Sequence, residues 1–529
     1  MTMPTRGHAW LLAIALSASA AWAGSTDALA FEDATAAWGL DGPLRGLMAH
    51  AAACGDIDGD GDLDVFVGNF ADRPPERYVG ADGPSPNMLL INDGGKFRHS
   101  GQSVLATKAR TSGAVFADLD NDGDLDLFVS NHSKTGGLRV ANQLFENLGG
   151  GAFRDVSAGN AACTIMGGRS VGVLDFDGDG LLDLLVAGDK WGDGFTRLFR
   201  NKGRLAFEDA TAKAGLPLDL PALGVITPDL NGDGWPDIFV SQANRLFLSK
   251  GDGTYREGHS ETFLYPSVNR EASPCGVAFG DLDNDGDFDI VIVDHAQPAR
   301  LHLFVNEGLR DGVPRFRHAS REAGLAYEFP SWAPGRLHLK HAHVEVADMD
   351  NDGWPDIVVA ATWAAEGGSR PFICRNLGRL RFDVPPHEKG DAYFPAGPVA
   401  DFDRDGRLDL LFTGGVPQMH SRLLLNRSPK KHWLRVAVVG KTINRMGIGA
   451  RVSIYQPGKL GAPHALLGMQ EIGTGYGYCT GQEAVAHFGL GGLAACDVEV
   501  SLPFRKGVIR RPGVPANQLL CVNEGEWPP

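Results

Sequence analysis

The apolar positions of this chain fall in short runs that alternate in strand fashion and do not keep helical spacing. One such run, Leu63-Asp64-Val65-Phe66-Val67, grows out of the end of the segment GDIDGDGDLD, which places aspartates at 56, 58, 60, 62 and 64. Further along, a second strand ends in Asn and Gly: LLINDGGKF (89–97), LFENLGGGAF (144–153), LFRNKGRLAF (198–207) and LFLSKGDGTY (246–255). Those Asn/Gly pairs fit hairpin turns. After the aromatic comes a polar strand and a short apolar segment, as in FEDATAAWGL from Phe31, FEDATAKAGL from Phe207 and FRHASREAGL from Phe316. One unit therefore holds about four short strands, the size of a propeller blade.

The acidic segment repeats with the strands. DxDxDG-type loops start at Asp56, Asp118, Asp175, Asp229, Asp281, Asp348 and Asp401, spaced by 62, 57, 54, 52, 67 and 53 residues. Carboxylates crowded this closely repel one another unless a cation lies among them, and oxygens at alternate positions before a turn-forming Gly are how a loop wraps Ca²⁺. In that geometry the first, third, fifth and ninth positions offer side chains and the seventh its carbonyl. The candidate ligands are Asp56, Asp58, Asp60, Asp62 and Asp64; Asp118, Asp120, Asp122, Asp124 and Asp126; Asp175, Asp177, Asp179, Leu181 and Asp183; Asp229, Asn231, Asp233, Trp235 and Asp237; Asp281, Asp283, Asp285, Asp287 and Asp289; Asp348, Asp350, Asp352, Trp354 and Asp356; Asp401, Asp403, Asp405, Arg407 and Asp409. An EF-hand would carry Glu at its twelfth position, where the first loop has Val67. The loops join strands, and about seven calcium ions are expected.

Seven units predict an all-β chain: a seven-bladed calcium-binding β-propeller over residues 31–427, then a small β-rich domain over 432–525. A β-solenoid is the structural rival. These repeats resemble the FG-GAP or VCBS-type repeats of integrin α-chain propellers. The segments WLRVAVVGKTINRMGIGARVSIY (433–455), EIGTGYGYCTGQEAVAHFGLGG (471–492) and VPANQLLCV (514–522) look like the ASPIC/UnbV domain of the cartilage acidic protein family and its bacterial relatives. The resemblance implies a calcium-loaded extracytoplasmic propeller and carries fold better than function.

Residues 1–23 read as a cleaved secretory leader with a basic start at Arg6 and a small-residue exit at Ala21-Trp22-Ala23, so the chain is expected in the periplasm or outside the cell. The leader's apolar run, about thirteen residues, is shorter than the roughly twenty that span a bilayer, and no later segment predicts a membrane span. The net charge of −16 belongs mostly to the loops, and seven divalent ions would cancel nearly all of it. No basic stripe predicts nucleic-acid binding. The seven cysteines are an odd number for an oxidising compartment, and one disulfide among Cys479, Cys496 and Cys521 is an expectation.

One repeat is unlike the others. Along the strand entering each loop, the face at seven, five and three residues before the first Asp is small or apolar in the first five repeats, from Ala49/Ala51/Ala53 to Pro274/Gly276/Ala278, and reads Phe394/Ala396/Pro398 in the seventh. The sixth gives His341/His343/Glu345. Same-face neighbours are about 6.6 Å apart, so His341 and His343 are candidate ligands of one transition metal, with Glu345 a base or supporting partner. The bland reading is polar filling of a wet channel. His50 and Arg169 are candidate companions at the channel mouth. Two functions stay open: a secreted calcium-stabilised binding or adhesion module for a protein, glycan or surface, and a secreted enzyme with its active site in the channel. The absence of nucleophile or metalloprotease signatures favours the first.

Overall fold

The computed structural model describes residues 29–78, 83–265, 274–295, 298–328, 340–365, 368–387, 390–416 and 419–525. The leader read at 1–23 lies outside the described residues. Strands and a few short 3₁₀ turns make up the regular structure. No helix among the described residues is long and apolar enough to cross a membrane.

Among the described residues, seven sheets built on four antiparallel strands follow one another. In the first, Ala49–Gly55 pairs with Asp64–Asn69, that strand with Met88–Asn92, and that with Phe97–His99. The order recurs from Thr111, Gly168, Val225, Pro274 and Val344. The seventh sheet closes the ring from both ends of the chain: Val399–Ala400, Asp409–Phe412 and Arg422–Asn426 are joined by Phe31–Asp33, with Phe31 opposite Asn426. Each acidic loop links the first strand of its sheet to the second, and the second strands are buried from end to end, as in Asp64–Asn69 and Asp183–Gly188, except for the far end of Asp356–Ala365 in the sixth sheet.

The ninth aspartate of each loop, Asp64 and its counterparts, is buried. Its carboxylate accepts the N–H of the loop's second residue and the N–H of the last residue of the third strand, at 2.7–3.2 Å in all seven loops. That last residue is Asn in six sheets and Ser249 in the fourth. Its amide does more than shape the hairpin. Asn147 Nδ2 donates to Ile57 O of the preceding sheet at 2.9 Å, and Asn201, Asn306, Asn376 and Asn426 donate to Leu119, Leu230, Leu282 and Met349 in the same way. Five blade-to-blade staples result. Ser249 is too short to make one and instead caps Gly251 N; Asn92 Nδ2 is buried without a partner.

The C-terminal domain holds a three-stranded sheet (Ala486–Gly491, His432–Val439, Gln518–Asn523) and a four-stranded one (Leu466–Glu471, Arg451–Tyr455, Ala495–Leu502, Gly507–Pro515). It does not stand apart. Leu434, Val452 and Val498 belong to one buried apolar cluster with Val115, Val173 and Leu184 of the second and third sheets. All seven cysteines are unpaired, which corrects the expected disulfide: Cys479 and Cys496 are buried in separate surroundings and Cys521 is exposed.

The staples make a specific prediction. Asn147→Ala or Asn376→Ala leaves buried carbonyls unanswered and should lower unfolding stability by about 1–3 kcal/mol. Asn92→Ala, which removes no staple, should cost clearly less. Urea unfolding of the three variants in calcium buffer checks the ranking; equal losses would refute the staple.

Candidate functional site

In each loop the first aspartate accepts the N–H of the turn glycine at 2.7–3.1 Å, and that bond folds the segment back on itself. The glycine lies at positive φ, 98° at Gly61 and 96° at Gly286, where a side chain would be strained. The folding gathers carboxylates. In Asp56/Asp58/Asp64, Asp118/Asp120/Asp122, Asp175/Asp177/Asp183, Asp281/Asp283/Asp285 and Asp348/Asp350/Asp356, one oxygen from each residue lies within 4.8 Å of the others. Asp118 Oδ1, Asp177 Oδ1, Asp283 Oδ1, Asp401 Oδ1 and Asp403 Oδ1 are buried with no hydrogen-bond partner. Burial, reinforced by neighbouring aspartates, raises Asp281 and Asp348 to about 8. Burial raises Asp126 to about 8 as well, against the pull of two backbone N–H groups. Oxygens this close, dry and unpaired suit a hard divalent cation. The seventh residues differ in use: Trp235 packs edge-on against Phe504 at 4.8 Å, while Arg407 turns back on Asp405 and donates to Ser428 O.

Basic side chains approach most of the loops. From the C-terminal domain, Arg445 lies 3.8 Å from Asp118, Arg451 3.5 Å from Asp229 and Arg435 3.6 Å from Asp401, and Lys431, just before the domain, lies 3.3 Å from Asp350. From the third strands and their ends, Arg200 binds Asp177 and Asp179, Arg375 binds Asp350 and Arg427 binds Asp403. Arg404 reaches 3.9 Å from Asp62. The loop from Asp281 to Asp289 has no such partner within 4 Å among the described residues. The domain thus docks onto the loop-bearing face of the ring. His487 Nε2 meets Asn351 at 2.8 Å and Phe504 N donates to Gly234 O at 2.7 Å on the same face.

From this docked domain the segment GTGYGYCTGQ (473–482) threads into the channel. Thr480 and Gly481 pair in parallel with Ala52 and Ala53 of the first sheet, Gly477 bridges to Val277 of the fifth, and Cys479 N donates to Ser170 Oγ of the third. The small residues on the innermost strands make room for it: a Cβ on Gly224 would stand 2.7 Å from Gly477 O. This corrects the reading of His341, His343 and Glu345 as an open site. His343 Nδ1 accepts Tyr478 N–H at 2.9 Å, and its Nε2 lies 3.0 Å from Glu345 Oε1. Glu345 is held in turn by Gln482 Nε2, and burial raises its pKa. Nδ1 of His343 is thereby taken by the inserted segment, while its buried Nε2 faces Glu345 without a formed hydrogen bond. His341 packs apart, its Nε2 at 3.2 Å from Tyr327 Oη and its ring beside Phe372. The polar face of the sixth repeat is the seat of the inserted segment, and the two imidazoles are not gathered around one metal.

At the other mouth His50 and Arg169 line a cavity of about 490 Å³ floored by Tyr478. Arg169 is clamped to Asp189 at 2.6 Å and to Ser112 Oγ at 3.2 Å. Burial works to raise Asp189, but Arg169 and His132 overcome it and hold the carboxyl low.

The FG-GAP-like repeat model matches residues 56–129, 133–186, 175–240, 229–292 and 348–412, more than half of the chain and all seven acidic loops. The chain belongs to the FG-GAP-like repeat family. Its C-terminal part, residues 440–528, matches the ASPIC and UnbV model. Cartilage acidic protein 1 of Homo sapiens is 28% identical over 491 residues, covering 88% of this chain and 70% of that protein; the Xenopus tropicalis protein is 28% identical over 487 residues, covering 86% and 70%. Among solved structures, the BP39L lectin from Burkholderia pseudomallei aligns with a TM-score of 0.42 at 13% identity, over 72% of this chain and 99% of that one. Rhamnogalacturonan lyase YesW aligns at 0.37 and 13% identity, over 71% of each chain.

Within this FG-GAP-like protein, sequence reasoning missed the partners that the C-terminal domain brings: Gln482, Tyr478 and Thr480 in the channel, and Arg435, Arg445 and Arg451 on the loops. The signal was present as a run of small residues on the innermost strands and a matching glycine-rich segment elsewhere in the chain. Gly475 and Gly477 test the fit. Both have positive φ, 74° and 77°, and a Cβ would stand 2.1 Å from Val171 O or 2.4 Å from His343 Cε1. Gly475→Ala or Gly477→Ala should expel the segment, cost at least about 2 kcal/mol and open residues 473–482 to limited proteolysis. Gly473→Ala, with open space around its Cβ, should remain resistant.

Proposed function

We propose that this FG-GAP-like protein is a non-catalytic binding module that works outside the cytoplasm and is held together by calcium in its seven acidic loops. The observation that carries the metal reading is the convergence of carboxylate oxygens in the acidic loops, several of them, such as Asp118, Asp177, Asp283 and Asp401 Oδ1, buried and without a hydrogen-bond partner. The first, third, fifth and ninth aspartates, with Asn231 in the fourth loop, are the side-chain ligands, and the seventh residue gives its carbonyl. Bound calcium would neutralise the loops and join the first two strands of each sheet. The chain's own groups set the stage: the ninth aspartate is oriented by two backbone N–H groups, and guanidinium ions at most loops share the screening. Support for export comes from the leader-like residues 1–23 and from the weak affinities, about 10⁻⁴ to 10⁻³ M, that suffice where calcium is millimolar. Binding, not catalysis, fits a channel whose polar groups are spent on seating a segment of the same chain.

The neighbouring cations also rank the sites, since a fixed positive charge weakens a second one nearby. The Asp281–Asp289 loop should hold calcium most tightly and the Asp175–Asp183 loop, with Arg200 across two of its carboxylates, less so. Elemental analysis of protein dialysed in calcium buffer should find several calcium ions per chain, up to about seven, and chelator should lower the melting temperature. Asp283→Asn should remove one ion and cost more stability than Asp177→Asn. Calcium-free protein with an unchanged melting temperature would sink the proposal.

A further inference from the structure

The cavity at the channel mouth opposite the loops is rich in basic side chains. Four guanidinium groups line it, those of Arg73, Arg77, Arg110 and Arg169. Asp189 answers Arg169 at 2.6 Å and Asp72 answers Arg110 at 3.0 Å. Among the described residues no carboxylate stands within 4 Å of Arg73 or Arg77, so two positive charges face the cavity without a counter-ion. The histidines on its wall add donors and acceptors and no further charge: burial, then Lys340 and Arg169, lower His295 to about 3, and burial, Arg169 and Arg110 lower His50 well below its usual value. The buried Nδ1 of His50 has no hydrogen-bond partner.

The cationic groups are also held in place. Phe70 is the support: the His50 ring stacks on it at 4.2 Å, and the Arg110 and Arg73 guanidinium carbons stand 4.5 and 5.4 Å from its centroid. A stacked guanidinium keeps its planar fork of donors free for bidentate contact with a carboxylate or sulfate. Between the charges the surface is apolar, with Leu223 and Pro395 on the wall, Tyr478 on the floor and Trp191 at the rim, 51% exposed. A volume of about 490 Å³ lies within the range of small-molecule sites.

We propose that this cavity binds a small organic dianion in which two carboxylate or sulfate groups are carried on one or two rings. The two unanswered guanidinium groups fix the charge, the rim tryptophan and floor tyrosine take a ring face, and His50 Nδ1 takes a hydroxyl or amide donor. The inference deepens the binding reading above and rests on it for the role of the site, but it does not depend on the calcium loops, which lie at the opposite end of the channel. Acidic saccharides and aromatic dicarboxylates share this chemistry.

The test is isothermal titration calorimetry on calcium-loaded full-length protein with digalacturonate, phthalate and sodium sulfate, at low and at physiological ionic strength, beside the Arg73→Ala/Arg77→Ala double variant. Saturable one-to-one binding of digalacturonate or of phthalate, weakened by about tenfold or more in the double variant and less strongly by salt, supports the site and says which kind of ring it takes. The double variant should keep the wild-type melting temperature in calcium. No binding of either organic anion, binding only of sulfate, or binding that the double variant retains overturns the proposal. If binding fails while melting still depends on calcium, only the cavity is refuted; if binding holds while melting ignores calcium, only the metal reading is.

Discussion

A buried aspartate carboxylate at the end of every acidic loop ties three parts of each blade together: the loop itself, the second strand it begins, and the end of the third strand whose N–H it accepts. An apolar side chain at that place would leave two buried N–H groups unanswered, at a cost of about 1–3 kcal/mol each. An amide would offer one oxygen where two are used. The same residue therefore fixes the hairpin, aims the following Asn at the preceding blade, and brings a formal negative charge into a dry interior. Burial drives its pKa far up in Asp183, Asp237, Asp289, Asp356 and Asp409. A ring assembled this way accumulates buried acidity as a consequence of its connections, and that acidity calls for positive charge at every loop.

The C-terminal domain supplies part of it. Arg435, Arg445 and Arg451 approach first-position aspartates of three different blades, so the domain reads the ring as a whole and not a single blade. Its shared apolar cluster with the second and third sheets and its threaded segment make the attachment continuous from the loop face into the channel. Glu471 shows the economy of the interface. It accepts Asp229 N–H beside Arg451, and burial with the nearby Asp229 charge raises it to about 8. Two acids and one guanidinium meet where a free-standing propeller would expose a loop to water.

What the sequence made legible was whatever repeats. Strand periodicity, the Asn/Gly ends of third strands and the spacing of the acidic loops were enough for an all-β repeat fold. The closure by Phe31–Asp33 was not foreseen, although FEDATAAWGL matches the fourth-strand segment FEDATAKAGL. Contacts made once were not legible. His343 and Glu345 stood out as polar among small residues, yet their partners lie some 135 residues away on a segment with no repeat to compare. His341 shares the alternation of His343 but not its surroundings, because regular pairing begins only at Val344 and the residues before it turn toward Tyr327. A third-strand Asn looks like a turn former from sequence, since its bridge to the neighbouring blade appears only when two blades are side by side.

The inserted segment also decides which surfaces of the ring are available. Its parent domain docks on the loop face, and its chain from Gly475 to Gln482 occupies the inner channel, so a partner cannot enter that part of the channel without displacing the segment. The remaining mouth is shaped by the same segment, since Tyr478, whose N–H is fixed by His343, presents its side chain as the floor of the cavity bounded by His50 and Arg169. One residue thus answers a buried histidine on its backbone side and closes a cationic cavity with its ring. The polar anomaly of the sixth blade and the small residues of the others are two halves of one device: they seat a plug whose outer end is a surface. Strands that would otherwise border an open, wet channel are turned into walls of a shallow site at one end of the ring.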